Sequence, residues 1–345
     1  MDFIDLRSDT VTLPTPEMRE AMAEAVVGDD VMNEDPTVIQ LQNLAAQRMG
    51  KKAALFVPSG TMGNLLAAMC HCGRGDEVIM GNLGHTFLFE GGGISALGSI
   101  FAHLLPNQKD GTITLAEIEA GIRPDDIHQP PTRLLILENT HNRCGGVALT
   151  AEYTKEAAKL VHKHDMRLHI DGARIFNAAA ALGIEASKLV KECDSVTFCL
   201  SKGLCAPVGS VLCGDEAFIQ KARRLRKMLG GAMRQAGVMA AAGIIAIEKM
   251  STRLTEDHQR AKALADGLAQ IPAIRFEMGL PQTNMVFPSL SPDCKLSAAD
   301  VAKKLAAVGI KVGVVGAMKF RMVTHYWIDD DAIENVIAAM KKTVR

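Results

Sequence analysis

Short apolar runs alternate along this chain with longer stretches whose apolar positions recur every three to four residues. The runs at 53–57, 77–80, 99–104, 133–138, 167–171, 195–200 and 210–213 predict strands. Stretches between them, such as 62–70, 151–164 and 182–191, predict helices. Strands that read as continuous apolar runs are buried on both faces, and alternation with helices predicts a mostly parallel sheet sandwiched by helices. Seven such runs make one large α/β unit.

The first helix has a clear start. Thr15 can cap, Pro16 suits the first helical position and Glu17 the first turn. Met18, Ala21, Met22, Ala25 and Val26 then form one apolar stripe, and Gly28 ends it. After Met250 the texture changes. Helices over 253–269, 298–308 and 329–341 enclose short strands at 273–277, 284–287, 311–315 and 319–323. This is an α+β pattern. The expected division is a large domain at 1–250, with the N-terminal segment in it, and a smaller one at 251–345.

At 345 residues, with 48% hydrophobic and 22% charged positions, the chain has ample material for a core. Its 38 basic and 39 acidic residues leave a formal net charge of −1, and aromatics are 4%. A nucleic-acid binder would show basic clustering or stacking aromatics, so no nucleic-acid partner is expected. The apolar run at 236–247 spans twelve small-sided residues, too few to cross a bilayer, and predicts a core helix. The start Met1-Asp2-Phe3-Ile4-Asp5 lacks the features of a secretory leader. With eight scattered cysteines, reduced thiols and a cytoplasmic location are expected. Cys70-His71-Cys72 has no second ligand pair at zinc-site spacing, so no metal site is expected.

Neither the dinucleotide fingerprint, nor the P-loop, nor the α/β-hydrolase elbow occurs. Three other segments carry chemistry. Pro58-Ser59-Gly60-Thr61-Met62-Gly63-Asn64 joins a strand to a helix N-terminus, which suits an anion or an ordinary cap. Asp171, in His169-Ile170-Asp171-Gly172-Ala173-Arg174, ends an apolar strand. Lys202, in Leu200-Ser201-Lys202-Gly203-Leu204, follows another. Open α/β sheets bind ligands at that edge. Each segment alone has an ordinary structural reading. Together they fit pyridoxal 5′-phosphate: an amine for a Schiff base, a carboxylate for the pyridine nitrogen and a cradle for the phosphate. Arg174, Arg234 and Arg321 are candidates for reading an amino-acid carboxylate.

The segments Leu6 through Thr12, Gly28-Asp29-Asp30-Val31, Glu138 through Asn142, His169 through Arg174, Ser201-Lys202-Gly203, Pro207 through Ser210, Gly230 through Gln235 and Val323-Thr324-His325 recur in order. In them the chain resembles the low-specificity L-threonine aldolases. The resemblance implies a type I pyridoxal-phosphate fold and a homotetramer, a dimer of dimers. It implies retro-aldol Cα–Cβ cleavage of L-threonine, L-allo-threonine and other β-hydroxy amino acids to glycine and an aldehyde. It further implies that Lys202 is the Schiff-base lysine, Asp171 the pyridine-nitrogen partner and His85 the histidine stacked on the ring. Gly60 and Thr61 would form the phosphate cradle, and Arg234, assisted by Lys227, would reach a neighbouring subunit's phosphate. Ser8, Arg174 and Arg321 would clamp the substrate carboxylate. His128 would stand near the substrate hydroxyl, where it or His85 acts as base.

Three departures from the family pattern stand out: Met32-Asn33 where Tyr-Gly is common, the longer loop Arg143-Cys144-Gly145-Gly146-Val147, and Cys205 where Gly is usual. Another type I pyridoxal-phosphate lyase or aminotransferase is the alternative, distinguishable by its products. A silent cofactor-binding homologue and a generic nucleotide- or sugar-binding α/β protein complete the set.

Overall fold

Strand β1 (Ile4–Leu6) precedes seven strands that form one sheet: β2 (Ala53–Val57), β3 (Glu77–Gly81), β4 (Phe101–Leu105), β5 (Thr132–Glu138), β6 (Arg167–Asp171), β7 (Ser195–Cys199) and β8 (Ser210–Gly214). The computed structural model describes residues 3–344, so Met1 and Asp2, part of the leader reading, lie outside it. The strand order is β2-β8-β7-β6-β5-β3-β4. Only β8 runs antiparallel to its neighbours. Every residue of β3, β7 and β8 is buried, as continuous apolar runs require.

Helices Pro36–Met49, Ala151–Lys163, Ile175–Leu182 and Gly237–Glu248 cover one face. Helices Gly60–His71 and Glu216–Met228 cover the other. Among the described residues, no helix is long and apolar enough to cross a membrane.

Two helices differ from expectation. Thr15 accepts from the Met18 N–H at 3.2 Å and starts the first helix, but that helix stops at Ala23 rather than at Gly28. The following residues are held by outside partners: Thr37 Oγ1 donates to the Val26 carbonyl (2.6 Å), and the Gly28 N–H donates to Asp35 Oδ2 (3.2 Å). Val26 is therefore exposed rather than part of a buried stripe. A Cβ on Gly28 would meet the Glu34 carbonyl oxygen, which explains the glycine. The helix expected over 182–191 lies earlier, at Ile175–Leu182. Gly183 caps it with φ 64°, and one short turn, Ala186–Leu189, follows.

The second sheet has strands β9 (Ile274–Arg275), β10 (Met285–Val286), β11 (Ser289–Leu290), β12 (Ile310–Gly316) and β13 (Lys319–Val323). Its order is β1-β12-β13-β11-β9, and β10 pairs with β13. The N-terminal strand thus joins the second sheet rather than the large unit, with Ile4 opposite Ile310 in parallel pairing. Leu6 is buried there with Leu264, Val301, Phe320 and Val336. That placement carries the residues after β1 across to the edge of the large sheet.

Candidate active site

Four loops meet at the carboxyl edge of the parallel strands. After β2, Pro58 and Ser59 lead into helix Gly60–His71, and Ser59 Oγ caps it by accepting from the Met62 N–H (3.2 Å). The first N–H groups of such a helix have no partner inside it. After β3, Gly84 leads into the short helix His85–Leu88. Strand β6 ends at Asp171, and Lys202 stands three residues beyond β7. Together they line a cavity of about 300 Å³ that Gly60, Thr61, Asn64, His85, Asp171 and Lys202 all face.

At one end of the cavity is a buried polar cluster. Asp171 Oδ2 accepts from Asn64 Nδ2 (3.0 Å) and Thr86 Oγ1 (3.4 Å). Asn64 Nδ2 also donates to Glu90 Oε1 (2.9 Å), which in turn bonds His85 Nδ1 (2.8 Å). Burial, then the Glu138 and Glu90 charges, push the Asp171 carboxyl up to about 6, against the pull of His85 and Lys202. The Glu90 hydrogen bond holds His85 above the usual imidazole range, opposed by burial. Glu138 fixes the backbone here, accepting from the N–H groups of His85 (2.6 Å) and Asn142 (2.8 Å).

The opposite wall carries no carboxylate among its lining residues. It presents Ser59, Gly60, Thr61, Ser201, Pro207 and Gly209. A Cβ on Gly60 would stand 3.0 Å from Cys199 Sγ and 3.6 Å from Ser210 Oγ, a hydroxyl that is buried without a hydrogen-bond partner. An acidic end, an amine between and a donor-lined end fit the pyridine nitrogen, the aldehyde carbon and the phosphate of pyridoxal phosphate.

Beside Lys202 lies a second group. Arg174 places Nε and Nη2 on Asp9 at 2.7 and 2.5 Å. Arg321 Nη2 donates to Ser8 Oγ (3.1 Å), while its buried Nε has no partner. Burial alone would raise Asp9, but the Arg174 charge and hydrogen bonds outweigh it and hold the carboxyl well below the usual range. Burial and the neighbouring Arg174 lower Arg321. A guanidinium with a buried Nε still free to donate, beside a second guanidinium, suits a carboxylate guest. Thr12 Oγ1 ties this segment to the Lys202 carbonyl (2.8 Å).

The structure brings together Lys202, Asp171, His85, Gly60 and Thr61, and next to them Ser8, Arg174 and Arg321. Three other expected residues stand outside this cavity, and two of them, Arg234 and Lys227, were expected at a neighbouring subunit's phosphate rather than here. His128 lies on the surface, its Nδ1 on Asp126 (2.7 Å), held there by the local turn. Arg234 and Lys227 are exposed, and Arg234 pairs with Asp29 (2.7 Å). Asn64, Thr86, Glu90, Glu138 and Asp9 went without a role in the sequence reading. Asn64, Asp9 and Glu138 lie inside the motif segments, and for Asn64 a polar side chain one helical turn past a phosphate-type cradle is the available signal. Of the departures from the family pattern, Met32 is exposed, and Asn33 (φ 61°) and Cys205 (φ 65°) adopt the left-handed conformation that favours glycine.

The sequence profile of the beta-eliminating lyase family matches residues 5–291. The low-specificity L-threonine aldolase of Escherichia coli K12 is 45% identical over 336 residues, covering 97% of this chain and 98% of the relative. A probable low-specificity L-threonine aldolase of Arabidopsis thaliana is 46% identical over 342 residues, 98% of this chain and 96% of that one. The structure of Leishmania major threonine aldolase superposes with a TM-score of 0.84 at 20% identity, covering 99% of this chain and all of the other (100%).

Proposed function

The chain belongs to the beta-eliminating lyase family and, within it, to the low-specificity L-threonine aldolases, and we propose that the cavity beside Lys202 is where it works. It is a pyridoxal-phosphate-dependent carbon–carbon lyase that cleaves L-threonine to glycine and acetaldehyde. L-allo-threonine and other β-hydroxy amino acids are further substrates. The observation that carries the reading is the joint placement of Lys202, Asp171 and the Gly60–Thr61 helix start around one cavity.

Lys202 would hold the cofactor's aldehyde carbon, Asp171 its pyridine nitrogen, and the first N–H groups of helix Gly60–His71 its phosphate. When bound, pyridoxal phosphate supplies an electron sink for the bond that breaks. The protein's part is to choose that bond and move the protons. Arg321, Ser8 and the remaining edge of Arg174 hold the substrate carboxylate, and so fix which bond at Cα is aligned for cleavage. His85 has Nδ1 tied to Glu90, which leaves Nε2 to take the β-hydroxyl proton as Cα–Cβ breaks and the aldehyde leaves. A proton returned to Cα completes glycine. His85 is assigned as the base because it lines the cavity and His128 does not.

The active form is a cytoplasmic homotetramer, a dimer of dimers, with Arg234 and Lys227 reaching a neighbouring subunit's phosphate. Their exposure away from the chain's own cavity supports this, and all eight cysteines are free, which suits a reducing compartment. The test adds L-threonine to the pyridoxal-phosphate-loaded enzyme and couples acetaldehyde to alcohol dehydrogenase. A yellow protein that releases acetaldehyde, and loses that activity in Lys202→Ala, is the expected result. Pyruvate and ammonia, or a keto acid, would move the reading to β-elimination or transamination.

A further inference from the structure

A chain of polar side chains, buried up to the half-buried His71 at its far end, runs away from Asp171 beneath the sheet edge. Asn64 Oδ1 meets His169 Nε2 at 3.1 Å, His169 Nδ1 meets Ser195 Oγ at 2.9 Å, and Ser195 Oγ meets His71 Nε2 at 2.8 Å. Asn64 and His71 stand two turns apart on one face of helix Gly60–His71. His169 and Ser195 are register partners on β6 and β7. His169 and Asp171, two residues apart, share the face of β6 that this helix covers. The catalytic assignments above use none of His169, Ser195 or His71.

The direction of every bond follows from its end. Asn64 Nδ2 faces two carboxylates, Asp171 and Glu90, which when ionised only accept. The amide must therefore present its NH2 to them and its oxygen to His169. That oxygen needs a donor, so His169 carries its proton on Nε2. Burial, with His71 adding a little, pushes His169 down to about 3, so the ring is neutral and Nδ1 accepts. The Ser195 hydroxyl then donates to Nδ1 and its oxygen accepts from His71. Burial likewise lowers His71 to about 4, and its ring is stacked on Phe218 at 4.7 Å. All the donors point toward Asp171 and Glu90.

We infer that His169 is a positioning residue, acting through the Asn64 amide to keep Asp171 oriented and ionised for the pyridine nitrogen of the cofactor. The inference rests on the pyridoxal-phosphate reading of the cavity. A fully buried histidine in the middle of a strand is costly for packing alone, where an aliphatic side chain would fill the space. Without its N–H, the Asn64 amide is free to turn its oxygen toward Asp171 and Glu90, which replaces attraction by repulsion. Asp171 also faces Glu138, His85 and Lys202, so loss of one donor to it is felt among competing charges.

The test compares wild type with His169→Leu, His169→Gln and Ser195→Ala. Each apoenzyme is titrated with pyridoxal phosphate, and the visible band of each holoenzyme is followed between pH 6 and 9. His169→Leu is expected to bind the cofactor about tenfold more weakly, the scale of one hydrogen bond to a charged network, and to change the pH response of the band. His169→Gln keeps an N–H near the Nε2 position and is expected to recover most of the affinity. Ser195→Ala, one bond further out, is expected to fall between wild type and His169→Leu, and it carries the test if the leucine variant does not fold. Wild-type affinity and an unchanged band in His169→Leu, or in Ser195→Ala should it stand in, would overturn the inference. So would a folded His169→Gln as weak as His169→Leu. A wild-type protein that takes up no pyridoxal phosphate would instead overturn the reading of the cavity, and the inference with it.

Discussion

Glu90 lies five residues after His85 and holds its Nδ1, so the proposed base and the carboxylate that tunes it come from one short segment. The hydrogen bond raises His85 above the ordinary imidazole value, and a base works only once it has lost its proton. Activity is therefore expected to rise with pH through the His85 titration. Glu90→Gln removes the charge that favours the imidazolium, and the acidic limb of kcat/KM is expected to move to lower pH. A limb that stays in place would remove His85 from the role. Asp171 is also raised, and its titration is read in stability rather than in activity. Its folded value, about 6, lies above the ordinary 3.8, so folding favours its protonated form. The stability this lends the apoprotein is full below the unfolded value and is lost as pH rises through about 6. Urea unfolding of the apoenzyme from pH 4 to 7 should show that decline, and Asp171→Asn should flatten it.

At the scale of elements, the tie between the Gly28–Met32 turn and helix Glu216–Met228 is an ion pair almost wholly out of water. Arg226 Nη2 donates to Asp30 Oδ2 (2.6 Å) and Nη1 to the Phe56 carbonyl (2.6 Å), both side chains being about 1% exposed. Removing one partner leaves a buried charge, which typically costs ~3–5 kcal/mol. Arg226→Met is expected to lose stability on that scale in denaturant unfolding, and Asp30→Asn in the same chain is expected to recover part of it. Arg223 Nη2 also stands 3.5 Å from Asp30 Oδ1, so a loss below ~1 kcal/mol would mean that Arg223 takes over the charge. Elements of this kind were legible in the sequence to unequal degrees. The seven strands of the large sheet were visible because burial on both faces writes an unbroken apolar run. Strands β1 and β11, three and two residues long, leave no such run, and their pairing is set by distant partners. The Ala-rich stretch before Gly183 fits a helix in several registers, and the glycine's left-handed cap settled which. In the site, Asp171 and Lys202 stood out because one ends an apolar strand and the other follows one. Asn64, His169 and Glu90 did not, since their roles depend on contacts between segments up to 107 residues apart.

At the scale of the whole molecule, several cationic and apolar side chains sit where the isolated chain gives them little to do. Phe89 and Leu97, on the segment that follows His85, and Phe101 at the start of β4 are each more than half exposed. Met32, in the turn that Asp29 caps, and Met228, at the end of helix Glu216–Met228, are also more than half exposed. Large apolar groups on segments that flank a site are what a subunit interface covers. Arg234 would then leave Asp29, or share it, to meet a partner's phosphate. Because the pair is open to solvent, breaking it costs little. The expectation is specific. Arg234→Ala should leave the melting temperature of the apoenzyme within a degree or two of wild type, since surface changes of this kind are worth less than ~0.5 kcal/mol. It should nevertheless weaken pyridoxal-phosphate binding by about tenfold or more, the loss of one charged contact to a dianion. Mixing Arg234→Ala with Lys202→Ala subunits gives the decisive version. If Arg234 serves a neighbour's cavity, mixed oligomers contain some sites with both residues intact, and activity reappears on mixing two impaired proteins. If Arg234 serves its own chain, no site in the mixture has both, and activity stays at the level of the separate variants.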